Sequence, residues 1–245
     1  MNNKLSIIIP VLNDALALSS LLVSLQGVRD SVEIIVVDGG SKDASCDVAE
    51  RHAHRLLHTA AGRAAQMRAG AQAATGGWLW FVHADSVLSP SLLVSMQQLP
   101  DHWQWGRCDV QFDDPRPAFR VIAFFMNWRS RLTGICTGDQ GIFVRRQLYD
   151  GVGGFAALPL MEDVELSARL KRKARVHRPG TPLVTSARRW QKHGVLRTVL
   201  LMWWLRLQFF AGVPATTLHQ RYYPAVDATT TADTAPDNGA GGSRT

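Results

Sequence analysis

The sequence predicts an α/β fold, a doubly wound sheet of mostly parallel strands, and three observations carry that prediction. Short apolar runs at residues 5–9, 32–37, 55–59 and 78–82 alternate with helix-like stretches at 15–25 and 63–74, which is the strand–helix rhythm of βαβ units. The runs SIIIP and EIIVVD are apolar almost without interruption, as expected of strands covered on both faces in a parallel sheet. Three of the runs end in polar, turn-forming clusters, and ligands of such sheets lie beyond the carboxyl ends of the strands.

Taken in order, the first run leads into Pro10-Val11-Leu12-Asn13-Asp14, the second into Asp38-Gly39-Gly40-Ser41 and the fourth into His83-Ala84-Asp85-Ser86. The second half changes character, with a strand expected at 108–112, an amphipathic stretch at 119–132 and a strand-like run at 141–145. After Met161 a helix is expected over 162–173, with Val164, Leu166 and Leu170 on its apolar face. The reading divides the chain into a domain at 1–190, an amphipathic helix within 191–224 and a disordered tail at 225–245, where Thr, Ala, Asp and Gly replace apolar periodicity.

With 245 residues and 46% hydrophobic content the chain can bury one sizeable core. The net charge of +7 suits an anionic partner, and nucleic acid, a phospholipid surface and a nucleotide diphosphate meet that description equally. Cys46, Cys108 and Cys136 form no C-x-x-C pair, so they read as reduced thiols of a cytosolic protein. MNNKLSIIIP has too few apolar residues before Pro10, and no small-residue cleavage site, to be a signal peptide. A cytoplasmic location is expected, with the inner face of the cell membrane as a peripheral alternative.

Asp38 stands at a strand tip before two glycines, where it can accept hydrogen bonds from a base or ribose, or close an Asx-type turn with Ser41. Asp85 offers a hard oxygen ligand for Mg²⁺ or Mn²⁺ on a diphosphate, or caps the next helix. His83 is a partner ligand, a ribose contact or a packed side chain. Arg63 opens a helix where its guanidinium can join backbone amides in facing phosphate oxygens, whereas Arg68 reads as a solvated residue. Glu162 and Asp163 begin a helix, either as a charge pair favoured by the dipole or as a carboxylate poised to deprotonate a hydroxyl. Neither G-x-G-x-x-G nor a P-loop occurs.

Together, SIIIPVLNDA, IIVVDGGSKDAS, GRAAQMRAG, WFVHADS, TGDQGIFVRR, GGF and LMEDVELSARLKR stand in the order and approximate spacing of the family 2 glycosyltransferases, across residues 5–173. The resemblance implies the GT-A fold, a Rossmann-like nucleotide-diphospho-sugar transferase architecture. It implies an inverting hexosyl transfer from a nucleotide-diphosphate sugar, a UDP-sugar favoured, to a sugar, lipid-linked or other hydroxyl or carboxyl acceptor. Pro10, Asn13, Asp38, Ser41, Arg63 and His83 are then expected around the nucleotide sugar, Asp85 on the diphosphate and its Mg²⁺ or Mn²⁺, and Asp163 as general base beside Glu162. Asp139, Gln140, Arg189 and Trp190 are expected on the acceptor or leaving-diphosphate side. The segment TSARRWQKHGVLRTVLLMWWLRL resembles a bacterial subgroup often found beside radical-enzyme and selenium-related genes. Two departures stand out: His83-Ala84-Asp85 replaces an aspartate-x-aspartate pair, and Ser186 replaces the glutamine of the glutamine-x-x-arginine-tryptophan motif of polymerising relatives.

Residues 195–210 are rich in Leu, Trp and Phe but interrupted by Arg197, Arg206 and Gln208. An arginine near the centre is costly in a bilayer, so this helix is expected to lie in an anionic membrane interface or against the domain. Two other functions compete. A nucleotidyltransferase would need a glycine-rich triphosphate loop near the N-terminus, and residues 10–15 hold no glycine. A nucleic-acid-binding protein would use the basic segments 171–178 and 188–192 but would leave Asp38, Asp85 and Asp163 without a purpose, so no nucleic acid partner is expected.

Overall fold

The computed structural model describes residues 4–188 and 195–222. Strands β1 (Leu5–Val11), β2 (Val32–Asp38), β3 (Arg55–His58) and β4 (Trp78–Phe81) run parallel in the spatial order β3-β2-β1-β4. Every residue of β2 and β4 is buried, as two-sided coverage by helices demands. That coverage comes from α1 (Ala15–Ser24), α2 (Ser45–His52) and α3 (Arg63–Ala73). At Gly70 a Cβ would meet the Ile8 side chain at 2.4 Å, so only glycine lets α3 lie this close to the sheet. The expected parallel half is present, its strand ends within two residues of the sequence reading.

Beyond α4 (Pro90–Gln97) the pattern changes. Strands β6 (Trp105–Gly106), β8 (Phe143–Arg145) and β9 (Val176–His177) extend the sheet to seven strands, with β8 antiparallel to β4. The strand expected at 108–112 is shorter, β7 (Val110–Phe112), and belongs to a separate three-stranded sheet, β5-β10-β7, formed with β5 (Ser86–Val87) and β10 (Leu183–Thr185). This small sheet ties the chain near residue 185 to the segment that follows Asp85.

Helices α5 (Pro117–Thr133) and α7 (Glu162–Lys173) reach the carboxyl side of the strands, while α6 (Arg146–Gly151) starts at the amino end of β4. The first turn of α7 is acidic and its last turn basic, matching the helix dipole at both ends. Helices α8 (Val195–Phe210) and α9 (Ala215–Tyr222) pack on the domain: Leu205 and Leu218 are fully buried in a cluster with Ile135, Met161 and Val164. The outer face of α8 stays open, with Trp203, Trp204 and Phe210 exposed. Among the described residues no helix is long and apolar enough to cross a membrane. The tail expected at 225–245 lies outside the described residues.

Candidate functional site

A cavity of about 910 Å³ opens beyond the carboxyl ends of β1 and β4, within the size range of small-molecule sites. Strand ends and the loops after them supply one wall through Pro10, Asp14, Arg63, Gln66 and Asp85. The turn before β8 and the start of α7 supply the floor through Gly138, Asp139, Glu162 and Asp163, and α5, α8 and α9 supply a helical wall.

The strand-end wall is stitched by hydrogen bonds. Gln66, buried in α3, donates from Nε2 to the carbonyls of Val11 and Val37, both at 2.8 Å, and so locks the ends of β1 and β2 together. Asn13 takes a positive φ of 52°; its N–H donates to Ser41 Oγ at 2.9 Å and its Oδ1 accepts from Lys42 N at 2.7 Å. Asp38 is buried and accepts from the backbone N–H groups of Gly40 at 2.8 Å and Ser41 at 3.0 Å. Burial opposes its ionisation, yet these bonds outweigh burial and hold the carboxyl below its ordinary range. Asp38, Asn13 and Ser41 thus shape the loops beside the cavity and do not line it. Asp38, Cys46 and His58 each bring one ligand atom within 4.8 Å of the others. The Asp38 oxygens there already serve its own turn, and burial followed by the Asp38 charge pushes the Cys46 thiol up, which disfavours the thiolate a metal would need.

Asp85 does line the cavity, half-buried, and among the described residues no donor hydrogen-bonds to its carboxylate. Burial pushes its pKa up; Arg188 and Arg63 pull it down while Asp14 and Asp139 add to the rise. A free carboxylate among other acidic groups is a hard-oxygen donor set of the kind Mg²⁺ and Mn²⁺ take. Arg188 reaches across to Asp14 at 2.9 Å, joining the segment after β10 to the loop after β1. The sequence carried no signal for this pair.

Glu162 and Asp163 sit at the start of α7, after Met161, which adopts a left-handed φ of 66°. Asp163 is oriented by two backbone donors, Gly138 N at 2.6 Å on Oδ2 and Val164 N at 2.7 Å on Oδ1. A Cβ at Gly138 would stand 2.6 Å from His83 Nε2, so glycine is what admits the imidazole beside the Asp163 turn. Glu162 is buried and faces Arg63 at 3.9 Å. Burial, and then the Asp163 charge, push Glu162 up to about 7. Burial likewise raises Asp163, against the Gly138 hydrogen bond.

On the same floor Asp139 lines the cavity with its Oδ1 buried. Gln140, expected nearby, is fully enclosed: its Oε1 accepts from Ser130 Oγ at 2.7 Å and from Thr137 N, and it holds the turn from behind without reaching the cavity. Arg189 and Trp190 lie outside the described residues. Sequence reasoning reaches Asp14 only within the strand-end cluster 10–14, and it misses Gln66, Arg129 and, as a cavity residue, Arg206.

Residues 6–157 match the model of glycosyl transferase family 2. The chain belongs to that family. An uncharacterized glycosyltransferase of Escherichia coli, YibD, is 31% identical over 151 residues, covering 56% of this chain and 42% of the relative. Among solved structures, the mannosyltransferase PcManGT of Pyrobaculum calidifontis, in complex with GDP-Man and Mn²⁺, superposes with a TM-score of 0.58 at 22% identity, over 75% of this chain and 56% of that one. The 1–349 portion of S. aureus TarS in complex with UDP-GlcNAc gives 0.60 at 17% identity, over 75% and 58%. Glucosyl-3-phosphoglycerate synthase of Mycobacterium tuberculosis, in complex with Mn²⁺, UDP and glucosyl-3-phosphoglycerate, gives 0.52 at 16%, over 75% and 70%. This family 2 chain therefore has the GT-A fold, and it spans about half the length of several of these relatives.

Proposed function

We propose that this chain is an inverting glycosyltransferase that moves a sugar from a nucleotide-diphosphate donor, a UDP-sugar favoured, to a nucleophilic acceptor. One observation carries the reading: Asp85, Asp139, Glu162 and Asp163 meet around one cavity at the carboxyl rim of the parallel strands, with Arg63 beside Glu162. Asp85 would hold Mg²⁺ or Mn²⁺ with water and donor phosphates, and the bound ion would offset charge growing on the departing diphosphate. Arg63, beside Glu162, adds positive charge on the same side. Asp163 takes the acceptor proton as the acceptor oxygen bonds to the anomeric carbon and the bond from that carbon to the diphosphate breaks. A pKa raised by burial makes Asp163 a stronger base than an ordinary carboxylate, and its two backbone donors leave lone pairs for that proton. Glu162, raised to about 7 by burial, is only partly ionised near neutral pH and so limits the negative charge beside it.

The exposed apolar residues of α5 and α8 at the cavity mouth support an acceptor met at a membrane surface, from the cytoplasmic side. Placement in the subgroup found beside radical-enzyme and selenium-related genes rests on the 185–207 resemblance alone. The test is thermal unfolding with UDP, GDP and dTDP, with and without Mn²⁺. One diphosphate should raise the midpoint in a manganese-dependent way, and Asp85→Ala should lose that rise. Stabilisation by a nucleoside triphosphate with release of pyrophosphate, and none by any diphosphate, would replace this reading with nucleotidyl transfer.

A further inference from the structure

We infer that Arg129 and Arg206 form an oxyanion subsite on the acceptor side of the cavity, which takes the phosphate or carboxylate of an acceptor carrying an apolar chain. This rests on the transferase reading and narrows its acceptor.

Several arginines beside carboxylates pair with them: Arg107 and Arg131 with Asp109, Arg169 with Glu165, Arg188 with Asp14. Arg129 of α5 and Arg206 of α8 are exceptions. Both line the cavity, and each has a buried Nε with no hydrogen-bond partner among the described residues. The one bond recorded for Arg129 is a long contact of 3.4 Å from Nη2 to Ser130 Oγ. Neither takes part in an ion pair among those residues. A buried Nε–H without an acceptor is costly, and the planar fork that carries it matches a carboxylate or phosphate, which would remove that cost.

The position says which substrate this anion belongs to. The carboxylates whose charge acts on Arg129 are Asp139 and Asp163, at the end where the acceptor is deprotonated. The guanidiniums acting on Asp85 are Arg188 and Arg63, and Arg63 acts on Asp163 as well. An anion held by Arg129 therefore lies beside Asp163, the base of the proposed transfer.

The same wall is apolar around both arginines. Ile122, Phe125 and Met126 of α5 and Met202 and Trp203 of α8 line the cavity. Phe125 is 50% and Trp203 56% exposed, so the apolar lining continues to the protein surface. A ligand that complements this wall has an anionic head inside and an apolar body leading out.

Calorimetric titration of the full chain with decyl phosphate, inorganic phosphate and decyl maltoside tests the assignment, with UDP plus Mn²⁺ titrated separately. Decyl phosphate should bind at least about tenfold more tightly than either other probe. Arg129→Gln and Arg206→Gln should each weaken it about tenfold or more, the scale of a lost charge-assisted hydrogen bond. UDP binding should stay within about twofold in both variants. Arg206→Gln, in a half-exposed helix, supplies the result if Arg129→Gln unfolds. Equal decyl phosphate binding in wild type and Arg206→Gln overturns the subsite. A parallel loss of UDP affinity assigns the arginines to the donor instead, and inorganic phosphate binding as tightly as decyl phosphate removes the apolar chain. Absence of UDP binding in the wild type would strike the transferase reading while leaving the oxyanion measurement intact.

Discussion

The two walls of the cavity are built from different materials. The strand-end wall is polar backbone held by side chains: Gln66 bridges two strand ends, Asn13 and Ser41 join two loops, and Asp38 fastens its own turn. The helical wall is apolar, and much of it faces outward: Phe124, Trp128 and Leu207 are all more than half exposed. A wall whose donors and acceptors are already satisfied is rigid and suits a ligand of fixed shape. A wall with open apolar surface and unsatisfied guanidiniums is incomplete until something occupies it. Asp163 stands where the walls meet, fixed by backbone from one turn and one helix.

The sharpest probe of that meeting point is Asp163→Asn. Transfer should fall by about 10²–10⁴-fold, the usual contribution of a positioned base, while the affinity for UDP with Mn²⁺ changes little. Radiolabelled sugar transfer, read beside donor titration, distinguishes the two, and normal turnover in the variant would require another base.

Stability separates the walls next. Leu205 is fully buried between α8 and the domain, so Leu205→Ala should cost about 2–5 kcal/mol. Trp128→Ala, on the open face of α5, should change stability by no more than about 0.5 kcal/mol. Urea denaturation measures both, and a similar cost at Trp128 would mean that the open face is covered in solution.

The smallest effect is a pH signature. Glu162 titrates near 4.5 when unfolded and is raised to about 7 by burial in the native protein. A raised folded pKa means that its stabilising contribution is complete below about pH 4.5 and is lost as pH climbs through about 7. Glu162→Gln cannot ionise, so in metal-free buffer it should be more stable than wild type at pH 8, by about 1–3 kcal/mol, and equal to it at pH 4.5. Melting curves across that interval decide it; a constant difference would show that Glu162 is not the titrating group.

How far each wall could be read beforehand follows from its material. The strands β1, β2 and β4 were legible because uninterrupted Ile, Val and Trp runs have few other uses, and α7 because its apolar period and charge gradient agree. The two-residue strands β5, β6 and β9 carry no periodicity; their pairing is imposed by neighbours. Asp85, Glu162 and Asp163 were found from strand-end and helix-start positions, and all three line the cavity. Asp38 and Gln140 share the same motif signals but stand behind the cavity lining and hold their own turns, which sequence order does not reveal. Gln66 left a trace, a polar residue on the face of α3 shared with Met67 and Gly70. Asp14 and Arg188 left none, because 174 positions separate them.

That last separation has a consequence for synthesis. A nascent chain that has emerged only as far as α7 holds all four parallel strands and Asp163, but neither β10 nor the Arg188 clasp. With elongation at roughly 5–20 residues per second, the stretch from α7 to Arg188 emerges about a second or more later and finishes the pocket. Ligand capture on the ribosome should therefore switch on abruptly once Arg188 has emerged, after the parallel strands have formed.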